Sequence, residues 1–269
     1  MRNILFSLLV LGCSFSARAS RVDTIAIKSN SMDKMVKIVT IVPDVAMEGA
    51  RCPVVYLLHG YSGNHHTWIN IKPELTTIAD REGIIFICPN GENSWYWDSP
   101  KNPQVRYETF ISSELIDFAD STLPTISDRK ARAITGLSMG GHGALWNAIR
   151  HKNIFGAAGS TSGGVDIRPF PKNWQMKEQL GPLEQNKEVW DAHTVINQVN
   201  TLKDGELALI IDCGSEDFFL EVNNKFHEQL TERKISHDYL TRPGAHNHVY
   251  WNNSIDYQIL FFSKYFNNK

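Results

Sequence analysis

Gly136-Leu137-Ser138-Met139-Gly140 sets a serine between two glycines, each two residues away. A serine hydroxyl is a weak nucleophile at neutral pH and needs a base beside it on a rigid mount. A tight strand-to-helix turn supplies that mount by forcing the serine into strained backbone angles, with small residues on either side where strand and helix pass closely. The surrounding residues fit this context. A strand-like run, 131–135, precedes the motif, and Gly141-His142-Gly143-Ala144-Leu145-Trp146 opens a helix after it. The N-terminus of that helix favours negative charge developing on a reacting carbonyl.

The base and its orienting acid are expected on loops after later strands, in chain order serine, acid, histidine. Downstream, the apolar run 207–211 leads into Asp212-Cys213-Gly214-Ser215-Glu216-Asp217-Phe218. Asp212, Glu216 and Asp217 are all candidate acids. Asp217 is favoured because Asp212 falls at the strand end, whereas Asp217 lies on the loop beyond the turn that Gly214 allows. Gly244-Ala245-His246-Asn247-His248 follows the strand-like 238–241, and Pro243-Gly244 turns the chain so that His246 is presented on a loop. His248 is the rival, with packing beside Trp251 as its plainer role. His246 can take the Ser138 proton and return it to a leaving alcohol while Asp217 fixes its tautomer. An oxyanion needs two backbone donors. Met139 supplies one by position, and Tyr61 in His59-Gly60-Tyr61-Ser62-Gly63, directly after the run 54–58, is chosen for the other.

The elements that must hold these groups follow from hydrophobic patterning. Segments 22–27 and 35–42 alternate apolar and polar residues and read as an antiparallel lead-in hairpin. Runs 54–58, 84–88 and 207–211 are continuously apolar, as strands buried on both faces of a parallel sheet are. Helix-like stretches at 73–82, 112–119, 141–150, 222–234 and 254–266 alternate with them. This is an α/β pattern: a mostly parallel central sheet with helices on both faces and an antiparallel N-terminal lead-in. The stretch 168–204 has helical patches but no buried strand, and is expected to shape the mouth of the site as a candidate lid. Without repeat or linker, 20–269 reads as one domain.

The bulk numbers exclude several classes. At 269 residues, 42% hydrophobic and 21% charged, the composition is that of a globular protein. A net charge of −2 without a basic stripe argues against nucleic acid. Arg2, the apolar stretch 4–11 and Ala17-Arg18-Ala19 have the order of an export signal over 1–19, cleaved before Ser20. The apolar core is too short to span a bilayer. Val10-Leu11-Gly12-Cys13 offers a competing lipoprotein reading with Cys13 lipid-bearing. Either way the expected location is periplasmic or extracellular. Cys52, Cys88 and Cys213 have no metal-ligand spacing; export permits one bridge, and the buried thiol is the default for Cys88 and Cys213. No metal or organic cofactor is implied.

Taken together, Leu57-Leu58-His59-Gly60, Gly63-Asn64, the Gly136–Gly141 stretch, Cys213-Gly214 with Asp217-Phe218, and Gly244-Ala245-His246 ahead of Trp251 resemble the esterase D or tributyrin-esterase-like family of α/β hydrolases. That family includes S-formylglutathione hydrolases, mycolyltransferase antigens and feruloyl or acetyl-xylan esterases. The resemblance spans most of the chain after residue 20. It implies Ser138, Asp217 and His246 as triad, the Tyr61 and Met139 amides as oxyanion donors, and hydrolysis of carboxylic esters. One departure is His248, where family members often carry Trp, and it bears on the pocket wall. Trp95 and Trp97 are expected either to line an acyl or aromatic-acid pocket or to pack their loop, and Ser162 to edge the site. The expected partner is a small-molecule or polysaccharide-linked ester, feruloyl or acetyl. Acyl transfer to a sugar or lipid acceptor and a non-catalytic binding role are the alternatives. Oligomeric state is not encoded in any of these signals.

Overall fold

The computed structural model describes residues 20–267; the export signal and Cys13 lie outside them. Eight strands form one sheet in the order β1-β2-β4-β3-β5-β6-β7-β8. β1 (Arg21–Ser29) and β2 (Lys34–Val42) are the lead-in hairpin, and β2 runs antiparallel to β4 (Ile85–Pro89). From β4 onward the sheet is parallel, through β3 (Val54–Leu58), β5 (Arg132–Gly136), β6 (Ala157–Thr161), β7 (Ala208–Gly214) and β8 (Asp238–Arg242). This is the α/β-hydrolase architecture.

Alternation along each central strand divides the core into two layers. Val54, Tyr56, Leu58, Ile134, Leu209 and Ile211 pack on one face with Leu145, Ala148 and Phe226 of the helices Met139–Arg150 and Leu220–Glu232. Val55, Leu57, Phe86, Ala133 and Ile210 pack on the other with Ile78, Ile255, Ile259 and Phe262 of the helices Leu75–Glu82 and His248–Asn267. Burial on both faces is why these strands are apolar without alternation.

Several elements differ from the sequence reading. β6, Ala-Ala-Gly-Ser-Thr, carries no apolar run, yet all five residues are buried. Small side chains are required there, because a Cβ on Gly159 would lie 2.7 Å from Thr135 Oγ1 of the neighbouring strand. The last helix begins at His248 rather than 254, and Asn247 Oδ1 caps it by accepting from Tyr250 N at 3.1 Å. A helix at Thr67–Ile71 was not anticipated. Cys52, Cys88 and Cys213 are all free and buried, so the permitted bridge does not form among the described residues. No helix of those residues is long and apolar enough to cross a membrane.

Strand order reverses between β3 and β5, since the chain leaves β3 for β4 on one side and returns to β5 on the other. The crevice at the carboxyl ends of such neighbours is where open α/β sheets place ligands. His59-Gly60-Tyr61 leaves β3 there, and Leu137-Ser138 leaves β5, with Leu58 and Gly136 in register. The approach is very close: a Cβ on Gly136 would lie 2.7 Å from Leu58 O, and one on Gly140 would lie 2.6 Å from His59 O. Backbone atoms on the far side cannot give way as a flexible side chain would. Gly140→Ala is therefore expected to lower stability by about 1–3 kcal/mol, as overpacking does. Urea melts of the variant and wild type check this; coincident midpoints would refute the close-approach argument.

Candidate active site

Ser138 ends the strand-to-helix turn at φ 56° and ψ −118°, a left-handed φ that side-chain-bearing residues rarely adopt. The turn is held from outside. Ser138 N donates to Thr161 O at 2.9 Å, Leu137 N to Leu58 O at 3.2 Å, and His142 N closes the first helical turn on Ser138 O at 3.1 Å. These bonds to β6 and β3 keep the serine in the conformation that exposes Oγ.

Two loops bring the remaining groups to it. Asp217 lies beyond β7 and His246 beyond β8, and their loops are tied by Ser215 N to Arg242 O at 2.8 Å and Glu216 N to Gly244 O at 2.9 Å. His246 Nε2 stands 2.9 Å from Ser138 Oγ, and His246 Nδ1 stands 2.9 and 3.0 Å from the two Asp217 carboxylate oxygens. A carboxylate can only accept, so Nδ1 carries the proton and Nε2 is free to receive one from the serine. The Asp217 side chain is wholly buried and also accepts from Phe219 N at 2.8 Å. The rival carboxylates go elsewhere. Glu216 is exposed, and Asp212 is buried within β7, where it is bonded by Arg242 and Tyr250. His248 is exposed at the cleft mouth with its ring 5.4 Å from Trp251.

Among the described residues, the amides of Tyr61 and Met139 have no internal acceptor, whereas Ser62 N is bonded to Asn93 Oδ1 and Gly140 N to Leu137 O. Tyr61 lines the same cleft as Ser138, and Met139 N opens the helix that Ser138 precedes. Two unspent donors beside a half-buried serine that lines the cleft can stabilise a tetrahedral oxyanion.

The cleft over Ser138 measures about 540 Å³. Trp174 and Phe218 form one aromatic wall, stacked at 5.9 Å and 21°, and Phe218 also lies 4.3 Å from the His246 ring. Ser62, Asn64, Thr67, Asn70 and His248 bring polar side chains to it, and among the described residues no Asp, Glu, Lys or Arg lines it.

Three expected pocket residues are corrected. Trp95 and Trp97 are buried away from the cleft, stacked at 5.7 Å and 17° with the His142 ring 5.2 and 5.1 Å from theirs. They pack their loop against the helix after Ser138, on which His142 sits. Ser162 is also fully buried; its Oγ accepts from Trp251 Nε1 at 3.2 Å and so supports a cleft residue without lining the cleft. Lining residues that the sequence reading did not single out include Trp174, within 168–204, Phe218, next to Asp217, and Thr67 and Asn70 of the helix Thr67–Ile71. Phe218's position beside Asp217 and Trp174's place in the candidate lid were the available signals. The rest of 168–204 folds into short helices whose Met176, Leu180, Trp190 and Val199 are buried in the core.

His59 fastens the Tyr61 loop from beneath. It is buried, its Nδ1 lies 2.7 Å from Gly60 O, and its Nε2 accepts from Gly91 N at 2.8 Å. Only the neutral ring, protonated at Nδ1, makes both bonds. Burial pulls its pKa down to about 4, and burial does the same to His142, to about 3.

A family model described as "Putative esterase" matches residues 29–262. The acetyl esterase of Caldicellulosiruptor saccharolyticus is 28% identical over 82% of this chain and 86% of its own. The S-formylglutathione hydrolase of Bos taurus is 26% identical over 76% and 79% respectively. Among solved structures, a ferulic acid esterase superposes with a TM-score of 0.80 at 25% identity, covering 92% of this chain and 98% of that one.

The depressed His59 pKa has a signed consequence for stability. Between about pH 6.5 and 4 the unfolded chain binds a proton at His59 that the folded chain does not, so stability rises with pH across that window. Acidification through it is expected to remove on the order of 3 kcal/mol through this group alone. His59→Gln should make the pH dependence of unfolding free energy shallower by up to about one proton. An unchanged slope in denaturant titrations would mean that His59 is not held neutral by the fold.

Proposed function

The chain belongs to this esterase family, and from that premise we propose that it is an exported serine carboxylesterase acting through an acyl-enzyme on short-chain or carbohydrate-linked acetyl or feruloyl esters. The observation that carries the mechanism is the continuous Ser138–His246–Asp217 chain, with both links at 2.9 Å, beside the two unspent amides. Ser138 Oγ attacks the ester carbonyl as His246 Nε2 takes its proton. The Tyr61 and Met139 amides receive the oxyanion. His246 then returns the proton to the leaving alcohol, and water admitted to the same base resolves the acyl-enzyme. Asp217 stays ionised and steadies the imidazolium.

Support for a neutral, polyhydroxylated substrate comes from the cleft. An aromatic wall beside hydroxyl and amide side chains suits a sugar or phenolic ring, whereas a multiply charged substrate would find no Lys, Arg, Asp or Glu among the described lining residues. The relatives named acetyl esterase and ferulic acid esterase agree with this choice. Export rests on the order of Arg2, the apolar 4–11 and Ala17-Arg18-Ala19. An N-terminus at Ser20 in secreted protein would support it, and a lipid on an N-terminal Cys13 would move the cleavage to that residue and make the exported protein membrane-anchored.

The test is hydrolysis of p-nitrophenyl acetate, acetylated monosaccharides and feruloyl esters by wild type, Ser138→Ala and Asp217→Asn. Loss of the nucleophile is expected to reduce kcat by about a million-fold, and Asp217→Asn by about a thousand- to ten-thousand-fold with KM little changed. Equal turnover by wild type and Ser138→Ala would overturn the mechanism.

A further inference from the structure

A second groove, of about 300 Å³, lies alongside the catalytic cleft. The two share a wall made of two hydrogen bonds: Tyr61 Oη donates to Gln175 Oε1 at 2.9 Å, and Ser62 N donates to Asn93 Oδ1 at 2.9 Å. Tyr61, Ser62 and Trp174 face the cleft, whereas their partners and neighbours Asn93 and Gln175 face the groove. The wall is backbone-strained. Ser62, Glu92, Trp174 and Gln175 all have left-handed φ, between 47° and 63°, and none is glycine. Such strain is retained where surrounding structure enforces it, and it clusters at ligand-binding sites.

The groove is lined chiefly by amides and carboxylates with unspent hydrogen-bonding capacity. Asn93 and Gln175 use their oxygens on the wall, and Asn102 Oδ1 accepts from Gln104 N at 3.0 Å. Among the described residues, the NH2 groups of all three are uncommitted, as is the Glu178 carboxylate. Gln179 Oε1 is buried without a donor, a costly state for a polar atom. The other carboxylate, Glu92, is paired with Lys34 at 2.9 Å. Among the described residues neither Lys nor Arg lines the groove, so it offers an anion no counter-charge.

We infer that this groove binds the neutral sugar units adjoining the esterified one, so that an oligosaccharide ester lies across the Tyr61–Gln175 wall with its acyl group at Ser138. The inference rests on the carbohydrate-ester reading above. A sugar hydroxyl donates and accepts at once, and amide NH2 donors beside carboxylate and amide oxygens match vicinal hydroxyls.

The experiment titrates unesterified xylotetraose into the full chain and into Asn102→Ala/Glu178→Ala, two exposed positions outside the catalytic cleft, by heteronuclear NMR. Turnover of acetylated xylose, acetylated xylotetraose and p-nitrophenyl acetate is measured on the same preparations. Wild type is expected to bind xylotetraose, and the double variant to bind it about tenfold more weakly, with a matching rise in KM for the acetylated tetrasaccharide only. Turnover of p-nitrophenyl acetate should not change, which also certifies the variant's fold. Absence of binding in wild type, or equal binding in both proteins, overturns the groove. If acetylated xylose is still hydrolysed in that case, the ester reading survives its loss. Conversely, xylotetraose binding that depends on Asn102 and Glu178, without hydrolysis of either sugar ester, keeps the groove as a sugar site and removes the carbohydrate-ester reading.

Discussion

The narrow gap between the ends of β3 and β5 and the helix that begins at Met139 constrains everything around it. Gly136 and Gly140 let the strand and helix backbones approach until no Cβ fits, and Ser138 is left at the apex with a left-handed φ of 56°. That conformation is unfavourable by itself, on the order of 1–3 kcal/mol for a non-glycine residue. It persists because Ser138 N is bonded to β6, Leu137 N to β3 and the first helical turn to Ser138 O, so relaxing the turn would break sheet and helix bonds together. The hydroxyl is presented to the cleft as a consequence of backbone packing, and the rest of the site is arranged around a position fixed by those bonds.

A similar rigidity governs the loops that meet it. Asp212, buried at the carboxyl end of β7, is bonded by Arg242 from β8 and by Tyr250 from the last helix, and Arg242 also lies over the Tyr257 ring at 3.9 Å. Burial raises the Asp212 pKa, and the bonds from Tyr250 and Arg242 counter it. Five residues on from Asp212 stands Asp217, and four on from Arg242 stands His246. The buried pair therefore anchors both loops close to the two groups that must meet within hydrogen-bond distance. Phe218, Phe219 and Trp251 surround the His246 ring at 4.3–5.5 Å, leaving its orientation little freedom.

Two of the histidines beneath this arrangement have another role. His59 and His142 are buried and held neutral, one fastening the Tyr61 loop and the other set edge-on against both Trp95 and Trp97. They serve packing, whereas His246 keeps part of its ring in contact with solvent. Chemical identity alone does not separate these roles; burial and the second ring nitrogen's partner do.

Local signals in the chain determined the serine elbow, the chain order of acid and base, and most strands buried on both faces. Each is a short-range pattern: G-x-S-x-G spacing, glycine turns after apolar runs, or apolar runs flanked by turn residues. β6 escaped because a strand chosen for smallness has no hydrophobic signature, its residues being set by what lies across from Gly159 and Ser160. Whether Trp95 and Trp97 line a pocket or pack their loop, and whether Ser162 edges the site, is open in the sequence because aromatic clusters and loop serines near an elbow have no marker for which side of the loop they face. Tertiary packing decided that they turn inward, and that Trp174 and Phe218, which are 44 residues apart in the chain (by their residue numbers), stack into one wall. The choice among Asp212, Glu216 and Asp217 was likewise completed only by the fold, since it depends on where the β8 loop sets an imidazole relative to the β7 loop. Sequence patterns encode local geometry, whereas which side chains meet across the sheet is a property of the packed whole.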